Sequence, residues 1–175
     1  MPPRLLSERP GPTEYVPYFA RYVGLVPEGD LLQTMERQLS ETLDLLRSIT
    51  PTKAAYRYAP DKWSIKQVIG HVSDTERVFC YRALCFSRGD DTPLPAFDEN
   101  EYVRRANFGD RLLTDLAAEF EAVRSSTLHF FRSLDDDVLQ RRGVANNNGF
   151  TVRAIAYIIA GHERHHVKIL RERYL

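Results

Sequence analysis

Apolar residues return every third or fourth position in four separate stretches of this chain, and that spacing restricts it to helices packed on helices. The first stretch runs from about Asp30 to Ser48 and carries Leu31, Leu32, Met35, Leu39, Leu43 and Leu46. Asp30 stands where an N-cap is needed, and Pro51 stops the helix. The second opens on Ser64-Ile65-Lys66-Gln67, the form of a capping box, and runs to about Ser87, where Arg88-Gly89-Asp90-Asp91 breaks it. The third opens near Thr114-Asp115 and carries Leu116, Phe120, Val123, Thr127, Phe130 and Phe131 to about Leu134; a short turn over Asp135 to Gln140 follows. The fourth starts at Thr151, after the loop Asn146-Asn147-Asn148-Gly149, and continues nearly to the last residue. No strand pattern is evident. The expected class is therefore all-α, a four-helix bundle with room for one long crossover.

Two segments fall outside the period. Residues 1–27 are rich in proline and aromatics, among them Pro10, Pro12, Pro17, Tyr15, Tyr18, Phe19 and Tyr22, and read as an irregular arm packed across a bundle of residues 28–175. Residues 91–111 hold two prolines and no clear period. A loop that long in one domain predicts a cover over a site.

Lys plus Arg and Asp plus Glu both number 24, so the net charge is zero and nothing draws the chain toward nucleic acid or an anionic membrane. No apolar run approaches the roughly 18 residues of a membrane span, and Met1, Pro2, Pro3 and Arg4 do not begin an export signal. Cys80 and Cys85, five positions apart on a helix, point about 140° away from each other, which argues against a disulfide between them. They read as small buried apolar residues. A cytoplasmic protein is expected.

Three of the five histidines lie in Gly161-His162-Glu163-Arg164-His165-His166. On a helical wheel with His162 at zero, the apolar stripe of Ile155, Ile158, Ile159, Ile169 and Leu170 centres at roughly +30°. His166, at about +40°, lies close to that centre, whereas His165, at about −60°, lies on its flank. Two inward imidazoles one turn apart need partners, because an unpaired buried nitrogen costs about 1–3 kcal/mol. A divalent metal serves both at once; backbone or water contacts in a plain core are the alternative. His71 in the second helix sits at the edge of the inward face; taken alone it reads as a structural or surface histidine, and beside the other two as a third ligand. His129, between Leu128 and Phe130, reads as structural or surface.

The stretch from Trp63 through Gly70-His71 and the C-terminal Gly161-His162-Glu163-Arg164-His165-His166 resemble the DinB/YfiT-like family of bacterial metalloproteins. Leu94-Pro95-Ala96-Phe97-Asp98 and Val123-Arg124-Ser125-Ser126-Thr127-Leu128 extend the resemblance over most of the chain after about residue 30. It implies an up-down-down-up bundle, and a metal on His71, His162 and His166. Zinc or nickel is the usual ion, with iron, manganese and cobalt as alternatives. In many members it implies a homodimer. Relatives of this kind include S-transferases that use bacillithiol or mycothiol, a mycothiol-dependent isomerase, and proteins described as metal-dependent hydrolases.

Three histidines leave a coordination position open, as a catalytic site requires. Such an ion serves two chemistries, activation of water or binding of a low-molecular-weight thiol, and the sequence does not choose between them. Asp74, Glu76 and Glu163 are the candidates for general base or for orienting a histidine, each with a solvated helix carboxylate or an intrahelical ion pair as the plainer reading. Arg124 reads as a surface salt bridge, or else as a grip for an anionic substrate group. Tyr102 and Asn100 are expected at the mouth of the pocket. No phosphate loop, nucleophile elbow or dinucleotide fingerprint is present. The expected partner is a small molecule, not nucleic acid or a membrane. A metal-binding stress-response module without catalysis is the competing expectation.

Overall fold

A computed structural model of the chain describes residues 3–175. Four long helices dominate it: α1 (Leu31–Arg47), α2 (Ile65–Ser87), α3 (Leu113–Arg132) and α4 (Val152–Ile169). Three begin on the expected caps. The Asp30 carboxylate accepts from the Gln33 N–H, Ser64 and Gln67 satisfy each other's backbone N–H groups, and Thr151 accepts from Ala154. α3 differs. It begins after Leu112, which offers no capping side chain, so Thr114 lies inside the first turn while Asp115 keeps a favourable place near the positive end of the helix. α4 passes into a wider π-helical turn, Leu170–Tyr174.

Side-chain pairs fix the helix directions. Glu36, early in α1, pairs with Arg132 at the end of α3, so these two run antiparallel. Lys66, early in α2, donates to the Gly109 carbonyl just before α3, so α2 and α3 run parallel. The Tyr174 hydroxyl, beyond α4, donates to the Trp63 carbonyl, just before α2, at 2.7 Å, which makes α2 and α4 antiparallel. Gln38 and Thr42 of α1 meet Ala160 and Glu163 of α4 in the same order, so that pair is parallel. The result is up-down-down-up, with α1 diagonal to α2 and α3 diagonal to α4. Parallel neighbours α2 and α3 require a long return.

That return is not a bare loop. It contains a helix, Glu99–Arg105, capped by Asp98, and a 3-10 turn, Phe108–Asp110. The expected turn after α3 is a short helix, Asp136–Leu139. The expectation of no strands is corrected: β1 (Arg142–Ala145) and β2 (Asn148–Thr151) form an antiparallel hairpin, in the register Ala145 with Asn148 and Arg142 with Thr151. Asn146 and Asn147 turn it at φ 51° and 58°, the left-handed pair that a two-residue hairpin turn requires. The arm is likewise more ordered than an irregular segment, with short helices at Arg4–Ser7, Pro17–Phe19 and Ala20–Val23.

Two large apolar clusters occupy the ends of the bundle. One gathers Leu6, Val23, Met35, Phe86, Phe131 and Ile155; the other gathers Ile65, Ile69, Phe108, Leu116 and Leu170. Between them only Leu43, Val72 and Phe120 form a small third cluster, and the remainder of that layer is polar. Cys80 is half-buried and Cys85 buried, both as free thiols. No helix among the described residues is long and apolar enough to cross a membrane.

Candidate metal centre

The polar middle layer brings His71 of α2 against His162 and His166 of α4. The Nε2 atom of His162 stands 3.1 Å from Nε2 of His71 and 3.1 Å from Nε2 of His166, and all three ligand atoms lie within 4.8 Å of one another. One neutral ring nitrogen carries either a proton or a single in-plane lone pair, so His162 cannot satisfy two such neighbours by hydrogen bonding. Two nitrogens bound to one zinc at about 2.0–2.1 Å stand roughly 3.3 Å apart in tetrahedral geometry and about 2.9 Å apart at right angles. The observed spacing lies between these values. The donor set therefore fits a divalent ion.

Burial prepares the nitrogens for that role. It pushes the His71 imidazole down from 6.5 to about 4. His162 and His166 are held well below the ordinary value, by burial first and then by the neighbouring histidines. All three are neutral near pH 7, with lone pairs free for an electrophile. His165, as the wheel indicates, stands aside: its ring meets Tyr22 edge-on at 5.3 Å. His129 is exposed on α3.

Two glycines let other elements close on these histidines. A Cβ at Gly161 would lie 2.0 Å from the Tyr22 carbonyl oxygen, so only glycine allows the arm backbone to rest on α4 there. The Tyr22 ring then stands edge-on to His162 at 5.3 Å. Gly70 does the same beside His71, where a Cβ would come within 2.5 Å of the Phe108 ring. The Trp63 ring covers His71 at 4.7 Å.

Of the three carboxylates, Asp74 follows the plainer reading, an intrahelical ion pair, whereas Glu76 and Glu163 are buried. Asp74 does not orient His71; it pairs with Arg77 at 3.2 Å on the outer side of α2. Thr75, a full turn after His71, brings its hydroxyl to 3.4 Å from Nδ1 instead. Glu163 is buried and saturated, accepting from Gln38 at 2.8 Å, Thr42 at 2.7 Å and Arg124 at 2.6 Å. Glu76 accepts from the Nε and Nη2 edge of the Arg124 guanidinium, at 2.9 and 2.8 Å. Arg124 is thus no surface residue: it is wholly buried. Burial alone pulls its pKa down, but the carboxylates of Glu163 and Glu76 raise it above its ordinary value. Its place one turn after Phe120 and two before Phe131, on the apolar stripe of α3, was the available signal.

A cavity of about 670 Å³ opens from the histidines. Phe19, Phe79, Phe97 and Phe150 form much of its wall, with Tyr18, Tyr22 and Trp63. The long connection contributes Ala96, Phe97 and Glu99. Asn100 and Tyr102 do not line the cavity; Tyr102 lies half-exposed against Phe97. Glu99 is the one carboxylate in the lining among the described residues, on the exposed rim.

A curated protein of Oceanobacillus iheyensis, named "Putative metal-dependent hydrolase OB0413", is 23% identical over 138 residues, spanning 78% of this chain and 77% of its own length. Among solved structures, YfiT from Bacillus subtilis, described as "a probable metal-dependent hydrolase with an unusual four-helix bundle topology", superposes with a TM-score of 0.72 at 16% identity. The match covers 81% of this chain and 84% of that one. The model of the DinB superfamily matches residues 34–170, from α1 to the end of α4 and across all three histidines, and this chain belongs to that superfamily.

Proposed function

We propose that the protein is a divalent-metal-dependent hydrolase of a small organic molecule, with His71, His162 and His166 as the ligands. The carrying observation is the convergence of three neutral imidazoles, two buried and one half-buried, at one point in the wall of an aromatic-lined cavity. The names of the Oceanobacillus protein and of YfiT point the same way. An all-imidazole donor set suits zinc or nickel. Held by these three histidines, a divalent ion would supply a Lewis acid at the cavity wall.

The chain's own residues do the rest. Thr75 holds the His71 ring from its Nδ1 side, Tyr22 packs edge-on to His162, and Trp63 covers His71 at the reacting end. With Asp74 on the outer face and Glu163 saturated, Glu99 is the side chain positioned to exchange a proton with a molecule in the cavity.

The test uses untagged protein, stripped with a chelator and reloaded separately with zinc, nickel, iron, manganese and cobalt. One ion per chain is expected, lost in His162→Ala, together with turnover of an ester or amide panel that falls in Glu99→Gln. Failure to retain stoichiometric metal sinks the reading. Turnover only when a low-molecular-weight thiol and an electrophile are supplied together replaces hydrolysis with thiol transfer.

A further inference from the structure

The chain buries two arginines, and they are treated differently. Arg124 has a carboxylate on each side. Arg82, 6% exposed, has none: among the described residues no acid pairs with it, and its only hydrogen bond goes from Nη2 to the Pro95 carbonyl at 2.9 Å. Its guanidinium stands 5.2 Å from the centre of the Phe79 ring and 5.7 Å from that of Phe97, and burial pulls its pKa down with no neighbouring charge to offset it. A guanidinium carries five donors, so most of this fork is unused. None of its nitrogens is both sealed and unpartnered, which leaves the free N–H groups facing accessible space, and the space that Arg82 lines is the histidine cavity.

Its position along α2 matters as much as its charge. His71, Thr75, Phe79 and Arg82 all line the cavity, at i, i+4, i+8 and i+11, which is one face of a helix. His71 and Arg82 are about 16 Å apart along the axis, with the arginine leaning back toward the histidines. Phe79 and Phe97 lie at the arginine end, and Phe19 and Phe150 pack between the arm and the hairpin. No other arginine or lysine lines the cavity among the described residues, so at the end away from the histidines one fork is available for one carboxylate.

We propose that Arg82 is the anion-recognising residue of this cavity, and that the substrate is an organic monocarboxylic acid. Its carboxylate docks on the Arg82 fork, its flat apolar body lies along the phenylalanines, and its reacting bond reaches the histidines at the other end. This rests on the cavity being the substrate chamber and specifies what enters it. A forked, charge-assisted hydrogen bond in a partly dry site provides the selectivity, and a buried cation left without an anion provides the penalty for neutral analogues.

The test compares 3-phenylpropanoate with 3-phenylpropanamide by titration calorimetry and ligand-observed NMR, on zinc-loaded and on chelated protein. The acid should bind about tenfold or more tightly than the amide in both states. Arg82→Gln should remove that preference by weakening the acid while leaving the amide within about twofold, and Arg82→Lys should restore it in part. Equal binding of acid and amide to the unaltered protein overturns the proposal, as does the absence of saturable acid binding. So does a preference that survives in Arg82→Gln but vanishes on chelation, because the acid is then bound by the ion. Should Arg82→Gln misfold, the acid-to-amide comparison on the unaltered chain decides. Acid preference persisting in chelated protein that shows no hydrolysis upon reloading would leave this inference intact and remove the hydrolase reading alone.

Discussion

His71 titrates near 4 when folded and near 6.5 when unfolded, so in the metal-free protein the unfolded chain takes up a proton first as the pH falls. The stability contributed by the neutral ring is fully present above about 6.5 and is lost progressively toward 4. At about 1.4 kcal/mol per pKa unit, this one residue accounts for about 3 kcal/mol of that loss. His162 and His166, lowered in the same direction, steepen it. Denaturant melts of stripped protein at pH 7 and pH 4.5 should show the drop, and His71→Gln should reduce it; an unchanged profile in that variant would contradict the assignment. Arg124 is a second single-residue dependence. Arg124→Ala strands the Glu76 and Glu163 carboxylates in the dry middle layer and should cost about 3–5 kcal/mol, read as a lowered denaturation midpoint.

The long elements were legible because their signals are local. A capping box, an N-cap aspartate and a period of three and four fix α1, α2 and the start of α4 to within a residue, and the wheel that separates His166 from His165 needs only the geometry of one helix. What escaped reading depends on other elements. The hairpin strands have four residues each with little alternation, and their packing depends on Phe86 of α2 filling the space where Gly143 has no side chain. Arg124 was misread because its partners come from α2 and α4, which its own sequence neighbourhood does not show. Gly161 belongs to this scale too. Gly161→Ala drives a methyl group into the Tyr22 carbonyl, so the arm must lift from α4. Limited proteolysis should then cut within residues 15–30, and the thermal midpoint should fall. Unchanged protection of the arm would argue against this contact.

At the level of the whole molecule, the up-down-down-up order makes α2 and α4 antiparallel neighbours, so that a histidine early in one faces two late in the other. The same order makes α2 and α3 parallel, and the connection this demands returns across the cavity to deliver Phe97 and Glu99. The arm is tied down separately. Glu14 accepts from Thr151 at 2.9 Å and pairs with Arg153, while Leu6, Tyr22, Val23 and Val26 are buried. A chain starting at residue 28 should melt at a lower temperature and bind an apolar dye, yet still take up one ion per chain if His71, His162 and His166 hold it, because all three lie on α2 and α4. Loss of ion uptake on that truncation would mean that the arm holds the histidines in place.

The stretch from Val16 to Tyr22 roofs the chamber, yet it precedes the part of the chain that matches the superfamily model. Part of the fit is thereby housed in a length of polypeptide separate from the histidines. Grafting a foreign leader ahead of residue 28 should retune which guest molecules are admitted while leaving the electrophile beneath them as it was.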